Sequence, residues 1–482
     1  MKFPDEPLCA DSLSPRFLRS ARILPLAEEA GVLTLAMADP ADRAAAEAVA
    51  LATGLRVQPV AVPVSELDSA LDRLFGTEER AGGLGDLMAA AAADHQPDTE
   101  NLRDLASEAP VVRLVNRLIA EAVERRASDI HVEPFEQELR VRYRIDGQLI
   151  EREPVPRAAA AAIVSRLKLM AGLDIAERRL PQDGRIKLPV RGRDIDFRVA
   201  TAPSMHGESV VLRILDRSGV TLDFAALGLA PEPREALLRQ LDRPNGIVLV
   251  TGPTGSGKTT TLYTALERLN RPNRKLVTVE DPVEYQIHGI NQIQVKSEIG
   301  LDFAGVLRST LRHDPDVVMI GEIRDLDTAR IAVQASLTGH LVLSTLHTNG
   351  AAATIARLVD LGISDYLIAS TLNAVVAQRL VRVLCPDCRE PHVLPAPLAA
   401  ELGLEGQPPV FRPKGCPACL GTGYRGRVAL FEVLEIDEPS RDRMLARQPV
   451  PKAARSLFDD GLDKVLAGVT SLEEVWAVAG DR

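Results

Sequence analysis

Aromatic side chains are scarce in this chain of 482 residues, where only 3% are Phe, Tyr or Trp and Trp476 is the single tryptophan. Its cores must therefore be packed mainly by Ala, Leu and Val. No run of the sequence approaches the ~20 consecutive apolar residues that a membrane-spanning helix needs. The first ten residues include Asp5 and Glu6 and lack the apolar stretch of a secretory signal. We therefore predict a cytoplasmic protein that reaches a membrane only through a partner.

An excess of positive charge is also missing, since the formal net charge is −10 at pH 7. Proteins that bind nucleic acid depend on basic side chains to neutralise phosphates. The balance therefore argues against a nucleic-acid-binding protein. One local basic cluster, Arg140, Arg142 and Arg144, alternates with apolar residues and is explained as the polar face of a strand.

Cysteine is rare, but four of the five cysteines form two C-P-x-C pairs, made by Cys385 with Cys388 and by Cys416 with Cys419. In a reducing compartment this spacing indicates a metal site rather than disulfides. Four thiolates complete the tetrahedral coordination of Zn²⁺ and leave no open position, so we predict a structural zinc site. The stretch between the pairs exceeds the ~15–20 residues of a compact zinc ribbon, which predicts an inserted loop. Cys9 receives no role.

A phosphate-binding pattern, G-x-x-x-x-G-K-[ST], occupies Gly252–Thr259 directly after the apolar run Ile247–Val250. Its glycines allow backbone N–H groups to approach a polyphosphate, and the helix predicted to follow adds a positive N-terminal end. Lys258 would reach the β- and γ-phosphates, and the Thr259 hydroxyl would help to hold Mg²⁺. We predict that this P-loop binds ATP or another nucleoside triphosphate through Gly252, Pro253, Thr254, Gly255, Ser256, Gly257, Lys258, Thr259 and Thr260.

Acidic residues end two further predicted strands, with Glu280 and Asp281 after one and Glu322 after the other. Because ligands of an open parallel sheet lie beyond the carboxyl ends of its strands, we expect these groups to face the P-loop. Nucleotide hydrolysis needs a group that orients the attacking water, which we assign to Glu322, and carboxylates near Mg²⁺, which we assign to Glu280 or Asp281. Gly321 stands where a metal-coordinating Asp is usual. The alternative is that these acidic residues merely cap strand ends.

Arginine commonly stabilises charge at the γ-phosphate. Arg198 and Arg213 lie on the polar faces of two predicted strands of an earlier domain, and Arg312 and Arg324 flank the strand before Glu322. These four residues are candidates for that role, and simple solvation of each is the alternative.

Two histidines, His340 and His347, bracket the predicted strand Leu341–Thr345. Their spacing places them on opposite faces of a strand, so we do not expect them to share a metal ion. For each histidine, hydrogen bonding or phosphate sensing and a purely structural role are the two alternatives.

The pattern of apolar residues divides the chain into successive segments. Between residues 229 and 384 strands alternate with helices, which predicts a parallel sheet covered by helices. In an earlier domain, strand-like alternation around Asp146-Gly147 predicts an antiparallel hairpin. The predicted organisation is an N-terminal α/β docking domain 1–75, a linker 76–108, an α+β domain 109–228, a P-loop core 229–384, a zinc subdomain 385–425 and a C-terminal helical region 426–482.

In this order, the motifs resemble those of the secretion-superfamily ATPases. The segments that carry the resemblance are Ala127–Glu133, Leu180–Arg185, Gly252–Thr259, Val279–Tyr285, Val317–Asp325 and Gly339–Asn349. The similarity is nearly continuous from about residue 110 to 435, and Gly321-Glu322 is the form that this family uses.

The resemblance implies an ATP-hydrolysing hexamer with a RecA-like P-loop domain after a PAS-like α+β domain, and nucleotide held between these two domains. The functional residues that it carries over are Glu322, Glu280, His340, His347, Arg198 and Arg213. The four cysteines and the overall size are similar to those of type II secretion ATPases, which assemble a periplasmic pseudopilus from the cytoplasmic side of the inner membrane. Residues 1–75 would then dock on an inner-membrane platform protein, an assignment that rests on order along the chain alone. The type IV pilus extension ATPases share every motif and are the alternative function.

Two other function classes are disfavoured. A zinc-dependent nucleic-acid-binding module would need a basic platform with aromatic residues, which this acidic chain does not show. A P-loop kinase acting on a small molecule would need a segment that binds the phosphate acceptor, and we identify none.

Overall fold

The computed structural model describes residues 99–480 except 153, 217–220, 297–298 and 407. Nearer the N-terminus it describes residues 21–63 except 30 and 41, together with positions 3–4, 8, 13, 17–18, 66–67, 70–71 and 74. Cys9 and residues 76–98 of the predicted linker lie outside the described residues. The chain divides into two compact units, Met1–Ile214 and Leu215–Arg482.

The N-terminal part of the first unit is a small α/β fold, as predicted. Its elements are β1 (Ile23–Glu29), β2 (Val32–Met37), α1 (Arg43–Thr53) and β3 (Arg56–Ala61). Strand β2 pairs with β1 in antiparallel and with β3 in parallel orientation, so α1 forms the crossover. The helix begins where the Asp42 carboxylate accepts a hydrogen bond from Ala45 N. It ends at Gly54, whose φ of 72° is a left-handed conformation that favours glycine because glycine has no Cβ.

An antiparallel sheet with helices forms the rest of the first unit, which confirms that prediction. Its elements are α2 (Thr99–Ser107), α3 (Ala109–Glu124), β4 (Asp129–Pro134), β5 (Glu138–Ile145), β6 (Gln148–Glu151), β7 (Val155–Pro156), α4 (Ala160–Ala171), β8 (Gln182–Val190), β9 (Arg193–Ser204) and β10 (Gly207–Leu215). The strand order is β6-β5-β4-β10-β9-β8, and β7 pairs with β5. Positive φ angles at Asp146 and Gly147 close the predicted hairpin between β5 and β6. Helix α2 falls inside the segment predicted as linker, and its Leu102 and Ala106 are completely buried.

The second unit is built on a seven-stranded sheet in the order β13-β12-β14-β15-β11-β16-β19. Neighbouring strands of this sheet are parallel except for the antiparallel pair of β16 with β19. Its first elements are α5 (Pro231–Leu241), β11 (Gly246–Thr251), α6 (Lys258–Leu269), β12 (Leu276–Glu280), β13 (Asn291–Gln294), α7 (Phe303–Thr310), β14 (Val317–Ile320), α8 (Leu326–Leu337) and β15 (Leu341–Leu346). The remaining elements are α9 (Ala351–Asp360), α10 (Asp365–Thr371), β16 (Leu372–Leu384), β17 (Glu390–Val393), α11 (Ala396–Glu401), β18 (Pro409–Arg412), β19 (Tyr424–Glu435), α12 (Glu438–Leu445), α13 (Leu457–Leu466) and α14 (Leu472–Ala479).

Both faces of this sheet are covered by apolar clusters. Along β11, Ile247 and Leu249 belong to one cluster, whereas Val248 and Val250 belong to another. Successive side chains of a strand point to opposite faces. The unbroken apolar run of β11, which was predicted to be a buried strand, therefore packs against an apolar cluster on each face of the sheet. Among the described residues, no helix combines the length and hydropathy required to cross a membrane.

Two segment boundaries differ from the sequence prediction. Strand β19 crosses the predicted limit at residue 425 and pairs with β16, so the cysteine-containing segment is an insertion between two strands of one sheet. Charged residues on β19, such as Arg425, Arg427 and Glu432, obscured its strand pattern. The segment around Phe224 and Leu229 packs in the cluster beside the P-loop sheet, although most of it was predicted to belong to the preceding domain.

Candidate active site

The P-loop joins β11 to α6 in a conformation that requires glycine. Gly252, Gly255 and Gly257 have φ angles of 152°, 80° and 87°. A Cβ atom on Gly252 would lie 2.4 Å from the backbone oxygen of Gln378, and one on Gly257 would lie 2.9 Å from Gln378 Nε2. Side chains at these positions would thus be strained and would clash with β16. The backbone therefore forms the open turn at a helix N-terminus that suits a polyphosphate.

Lys258 is folded back onto the P-loop. Its Nζ donates hydrogen bonds to the backbone oxygens of Gly252 and Pro253, at 2.8 and 3.0 Å, and the residue is only 8% exposed. Burial is the main cause that lowers the pKa of Lys258, to about 8; the Glu322 carboxylate opposes this shift, and the Arg379 guanidinium adds to it. Nearby, the buried Ser256 Oγ has no hydrogen-bond partner among the described residues. An unsatisfied hydroxyl and a buried ammonium group that contacts only backbone oxygens fit a site for an anionic ligand.

Glu322, the residue predicted to orient the attacking water, lies directly beyond the end of β14. Its side chain is 18% exposed, accepts a hydrogen bond from Arg324 and lies 3.5 Å from His347 Nε2. The Glu322 carboxylate lies near enough to Lys258 to act against the lowering of its pKa by burial. A Cβ on Gly321 would lie 3.4 Å from the Val279 backbone oxygen, which is an ordinary van der Waals contact.

Glu280, predicted to support Mg²⁺ through its water shell, is instead largely enclosed by protein. The residue is 3% exposed, and its carboxylate accepts hydrogen bonds from Tyr263 (2.5 Å), Thr278 (2.6 Å) and Gln292 (3.2 Å). Asp281, the other acidic residue considered for that role, is exposed. Asp281 is therefore the more accessible of the two carboxylates, and Glu280 holds α6 against β12 and β13.

The two histidines occupy opposite ends of β15. His347 follows the carboxyl end and contacts Glu322, whereas His340 precedes the amino end and places Nδ1 2.9 Å from the Ala335 backbone oxygen. His347 is seven residues beyond His340 along an extended strand, which corresponds to about 23 Å between their backbones. The structure thus brings His347 to the predicted site and does not bring His340 there. The prediction that they do not share a metal agrees with this separation.

The arginine candidates have different surroundings. Arg198 and Arg213 lie in the first unit on the neighbouring strands β9 and β10, as predicted, and Arg213 Nε is 3.0 Å from Asp129 Oδ1. Arg213 keeps 55% of its side chain exposed. In the second unit, Arg324 donates a hydrogen bond to the Glu322 carboxylate, and the exposed Arg312 donates a hydrogen bond to the backbone oxygen of Arg308.

Sequence reasoning missed several polar residues that surround the P-loop. Gln378 and Arg379 of β16 are 1% and 9% exposed, and both lie against the loop. Thr251 Oγ1, at the end of β11, accepts a hydrogen bond from Thr348 N at 3.0 Å. The signal that could have revealed the first pair is a Gln-Arg dipeptide inside an otherwise apolar stretch, because buried polar residues require specific partners.

The four predicted zinc ligands come together between β16 and β19. All four Sγ atoms of Cys385, Cys388, Cys416 and Cys419 lie within 4.8 Å of one another, and three of the pairs measure 3.7–3.9 Å. A tetrahedral ion with bonds of about 2.3 Å to sulfur requires edges of about 3.8 Å. The arrangement therefore fits a closed zinc site.

Backbone N–H groups support the sulfur atoms of this cluster. Cys419 Sγ accepts hydrogen bonds from the N–H groups of Cys416 and Gly423, at 3.1 and 3.2 Å. Although burial opposes ionisation, these donors bring the pKa of Cys419 down to about 6. Burial raises the pKa of Cys385 to about 12. The site thus already stabilises one thiolate, the form in which cysteine binds zinc.

Comparison with protein families gives two matches that cover most of the chain. The family described as Type II/IV secretion system protein matches residues 104–477, and the MshEN domain matches residues 2–81. The first match includes the P-loop, Glu322, both histidines and all four clustered cysteines.

Individual relatives extend along nearly the whole sequence. The chain is 51% identical to the Type II secretion system protein E of Xanthomonas campestris pv. campestris, with 97% of this chain and 85% of the relative covered. It is 44% identical to the Type IV pilus assembly ATPase PilB of Myxococcus xanthus, with coverage of 94% and 83%. A solved structure of the pilus retraction motor PilT with bound ADP covers 76% of this chain and 97% of its own, at 26% identity and a TM-score of 0.50.

These similarities agree with a glycine-rich P-loop between β11 and α6 and with Glu322 beyond the end of β14. They favour the type II secretion function over the type IV pilus alternative, since identity to the type II secretion relative is higher and covers more of both chains. The chain belongs to the Type II/IV secretion system protein family, and its sequence identifies it as an ATP-hydrolysing enzyme of the type II secretion kind.

Proposed function

We propose that this chain acts as a homo-hexamer at the cytoplasmic face of the inner membrane, where ATP hydrolysis drives pseudopilus assembly and protein export. The observation that supports this most directly is the identity to a type II secretion relative along nearly the entire chain. Residues 1–75 would dock on the cytoplasmic domain of an inner-membrane platform protein, so that contact with the membrane is made through that partner.

Binding of ATP would begin with an exchange of partners at Lys258. Its ammonium group leaves the backbone oxygens of Gly252 and Pro253, which it contacts at 2.8 and 3.0 Å, and binds β- and γ-phosphate oxygens instead. The N–H groups of the glycine turn and the unsatisfied Ser256 hydroxyl bind further phosphate oxygens. The Thr259 hydroxyl and Asp281 would hold Mg²⁺, which when bound neutralises developing charge on the phosphates.

Hydrolysis then depends on Glu322. The water oxygen attacks the γ-phosphorus, its proton passes to the Glu322 carboxylate, and the bond from phosphorus to the leaving ADP oxygen breaks. His347 and Arg324 hold the carboxylate in place through the contacts described above. Arg198 and Arg213 would stabilise charge at the γ-phosphate, which the family resemblance implies. His340, which bonds to the end of α8, receives a structural role in this scheme.

Complementation in bacteria tests the proposed system directly. The full chain is expressed in one strain that lacks its own type II secretion ATPase and in another that lacks its type IV pilus extension ATPase. Restored export of a secreted enzyme in the first strain, with no pili in the second, is expected. Lys258→Ala should restore neither. Pili without export would instead identify the chain as a pilus extension ATPase.

Affinity for ATP is expected to fall as the pH rises above about 8. Free Lys258 has a pKa of about 8, whereas bound phosphates stabilise the ammonium form and raise that pKa. Binding must therefore take up a proton above pH 8, and affinity falls by up to about tenfold per pH unit between the free and bound pKa values. Calorimetry in two buffers of different ionisation enthalpy measures this uptake. Lys258→Arg, which keeps its charge, should abolish it, and uptake equal in both proteins would contradict the assignment.

A further inference from the structure

Strand β16 carries two polar residues in a stretch that is otherwise apolar and buried. From Ala374 to Val381 the sequence reads Ala-Val-Val-Ala-Gln-Arg-Leu-Val, and Gln378 and Arg379 are 1% and 9% exposed. Removing a guanidinium and an amide from water is unfavourable unless specific partners compensate. Those partners belong to the ATP-binding site.

Gln378 supports the P-loop at both of its ends. Its backbone oxygen lies 2.4 Å from the position that a Cβ of Gly252 would take, so the start of the loop rests directly on β16. Its side-chain Oε1 accepts a hydrogen bond of 2.7 Å from Thr261 in the first turn of α6, and its Nε2 lies under Gly257. One residue therefore fixes the spacing between the beginning and the end of the loop.

Arg379 connects the same region to the segment that follows β15. Its Nη1 donates to the Gln378 backbone oxygen at 3.1 Å, and its Nη2 donates to the backbone oxygen of Asn349 at 2.9 Å. Asn349 is two residues beyond His347, which contacts Glu322. Between them, Thr348 bonds to Thr251 immediately before the P-loop. The segment that places His347 beside Glu322 is thus attached at two points. Thr348 is hydrogen-bonded to Thr251 at the start of the P-loop, and Asn349 is hydrogen-bonded to the Arg379 guanidinium.

Charge adds a second effect of Arg379. The charged groups that influence the pKa of Lys258 are Glu322, which raises it, and Arg379, which lowers it, in addition to burial. Burial likewise lowers the pKa of Arg379, and Glu432 opposes that change. A cation behind the loop thus disfavours the ammonium form of Lys258 until phosphate is bound.

We propose that Gln378 and Arg379 are positioning residues for ATP hydrolysis, in which Gln378 fixes the P-loop from behind and Arg379 ties it to the segment His347–Asn349. This inference rests on ATP turnover at the site described above. It assigns no contact between either residue and the nucleotide. Their effect passes through Lys258, His347 and Glu322.

Two substitutions of Arg379 separate its geometry from its charge. Arg379→Gln removes both the positive charge and the guanidinium geometry, so kcat should fall by about tenfold or more. Because the charge of Arg379 lowers the pKa of Lys258, its loss should also raise the pH at which ATP affinity declines. Arg379→Lys keeps a positive charge but lacks the fork that bridges Gln378 and Asn349. It should lower kcat similarly and leave the pH of that decline unchanged. A merely structural role would not move the pH profile of one variant and spare that of the other.

The matched control lies on the same strand. Arg382→Gln removes a guanidinium that pairs with Glu474 of α14, so kcat and the pH profile should stay at wild-type values. Gln378→Met, which keeps length but loses the amide, should raise the KM for ATP several-fold because Thr261 and the Gly257 turn lose their support.

Thermal melting of each variant shows whether it is folded, and hydrolysis is measured from pH 6.5 to 9.5. Wild-type kcat in folded Arg379→Gln, or wild-type kcat in Arg379→Lys if the first variant does not fold, overturns the inference. Absence of turnover in the wild-type enzyme would instead refute the ATPase function itself, so the two failures are distinguishable.

Discussion

Glu322→Gln is expected to lower the rate of ATP hydrolysis by at least about 100-fold while ATP still binds. The amide has nearly the same shape as the carboxylate but does not accept the proton of the attacking water. Lys258, the glycine turn and Ser256 are unchanged, so the phosphates keep their partners. A loss confined to kcat is the kinetic result of removing an interaction that acts only in the transition state.

Steady-state hydrolysis and equilibrium binding of a fluorescent ATP analogue measure the two quantities separately. Glu401→Gln, an identical change at an exposed position of α11, serves as the control and should behave like the wild type. Because the substitution also removes a negative charge that raises the pKa of Lys258, the pKa of that lysine should fall. The decline of ATP affinity should therefore begin at lower pH. Turnover within threefold of wild type would exclude Glu322 as the group that orients water.

Local sequence patterns were sufficient to predict the P-loop and the position of Glu322. In the P-loop, the positions that need a positive φ or a close approach of the backbone are marked in the sequence by glycine, which tolerates both. Strand ends are likewise visible where an apolar run meets acidic residues, as at Ile320 before Gly321 and Glu322. The carboxyl ends of parallel strands lie at one edge of the sheet, so the convergence of these groups follows from topology.

Other features of the site depend on contacts between distant parts of the chain. The burial of Glu280 comes from Tyr263 and Gln292, which lie on neighbouring elements and have no sequence signature of their own. The distance of His340 from the P-loop follows from the direction of β15, which the motif around it does not specify. The antiparallel strand β19 was missed because its exposed charges break the apolar pattern that marks the other strands.

Removal of zinc is expected to lower both the stability of the protein and its rate of ATP hydrolysis, although the cysteines lie outside the P-loop. Free energies of about 10–16 kcal/mol for structural zinc equal or exceed the ~5–15 kcal/mol that stabilise a typical domain. The cysteine segment joins β16 to β19, and Cys385 N donates a hydrogen bond to the Gly423 backbone oxygen at 2.9 Å. Without the ion, the four cysteines lose the bonds that close this segment, so the segment should unfold.

That unfolding should reach the active site through β16. Cys385 directly follows the end of this strand, and six residues earlier Arg379 contacts the segment after β15. We therefore expect Cys385→Ser to contain little zinc, to melt at a lower temperature and to hydrolyse ATP at least about tenfold more slowly. Cys9→Ser is the control and should keep about one zinc ion per chain, measured by elemental analysis. Zinc-free protein purified from metal-replete cells, if it melts and hydrolyses ATP like zinc-containing protein, would contradict a structural role, because coordination would then contribute nothing to holding β16 against β19.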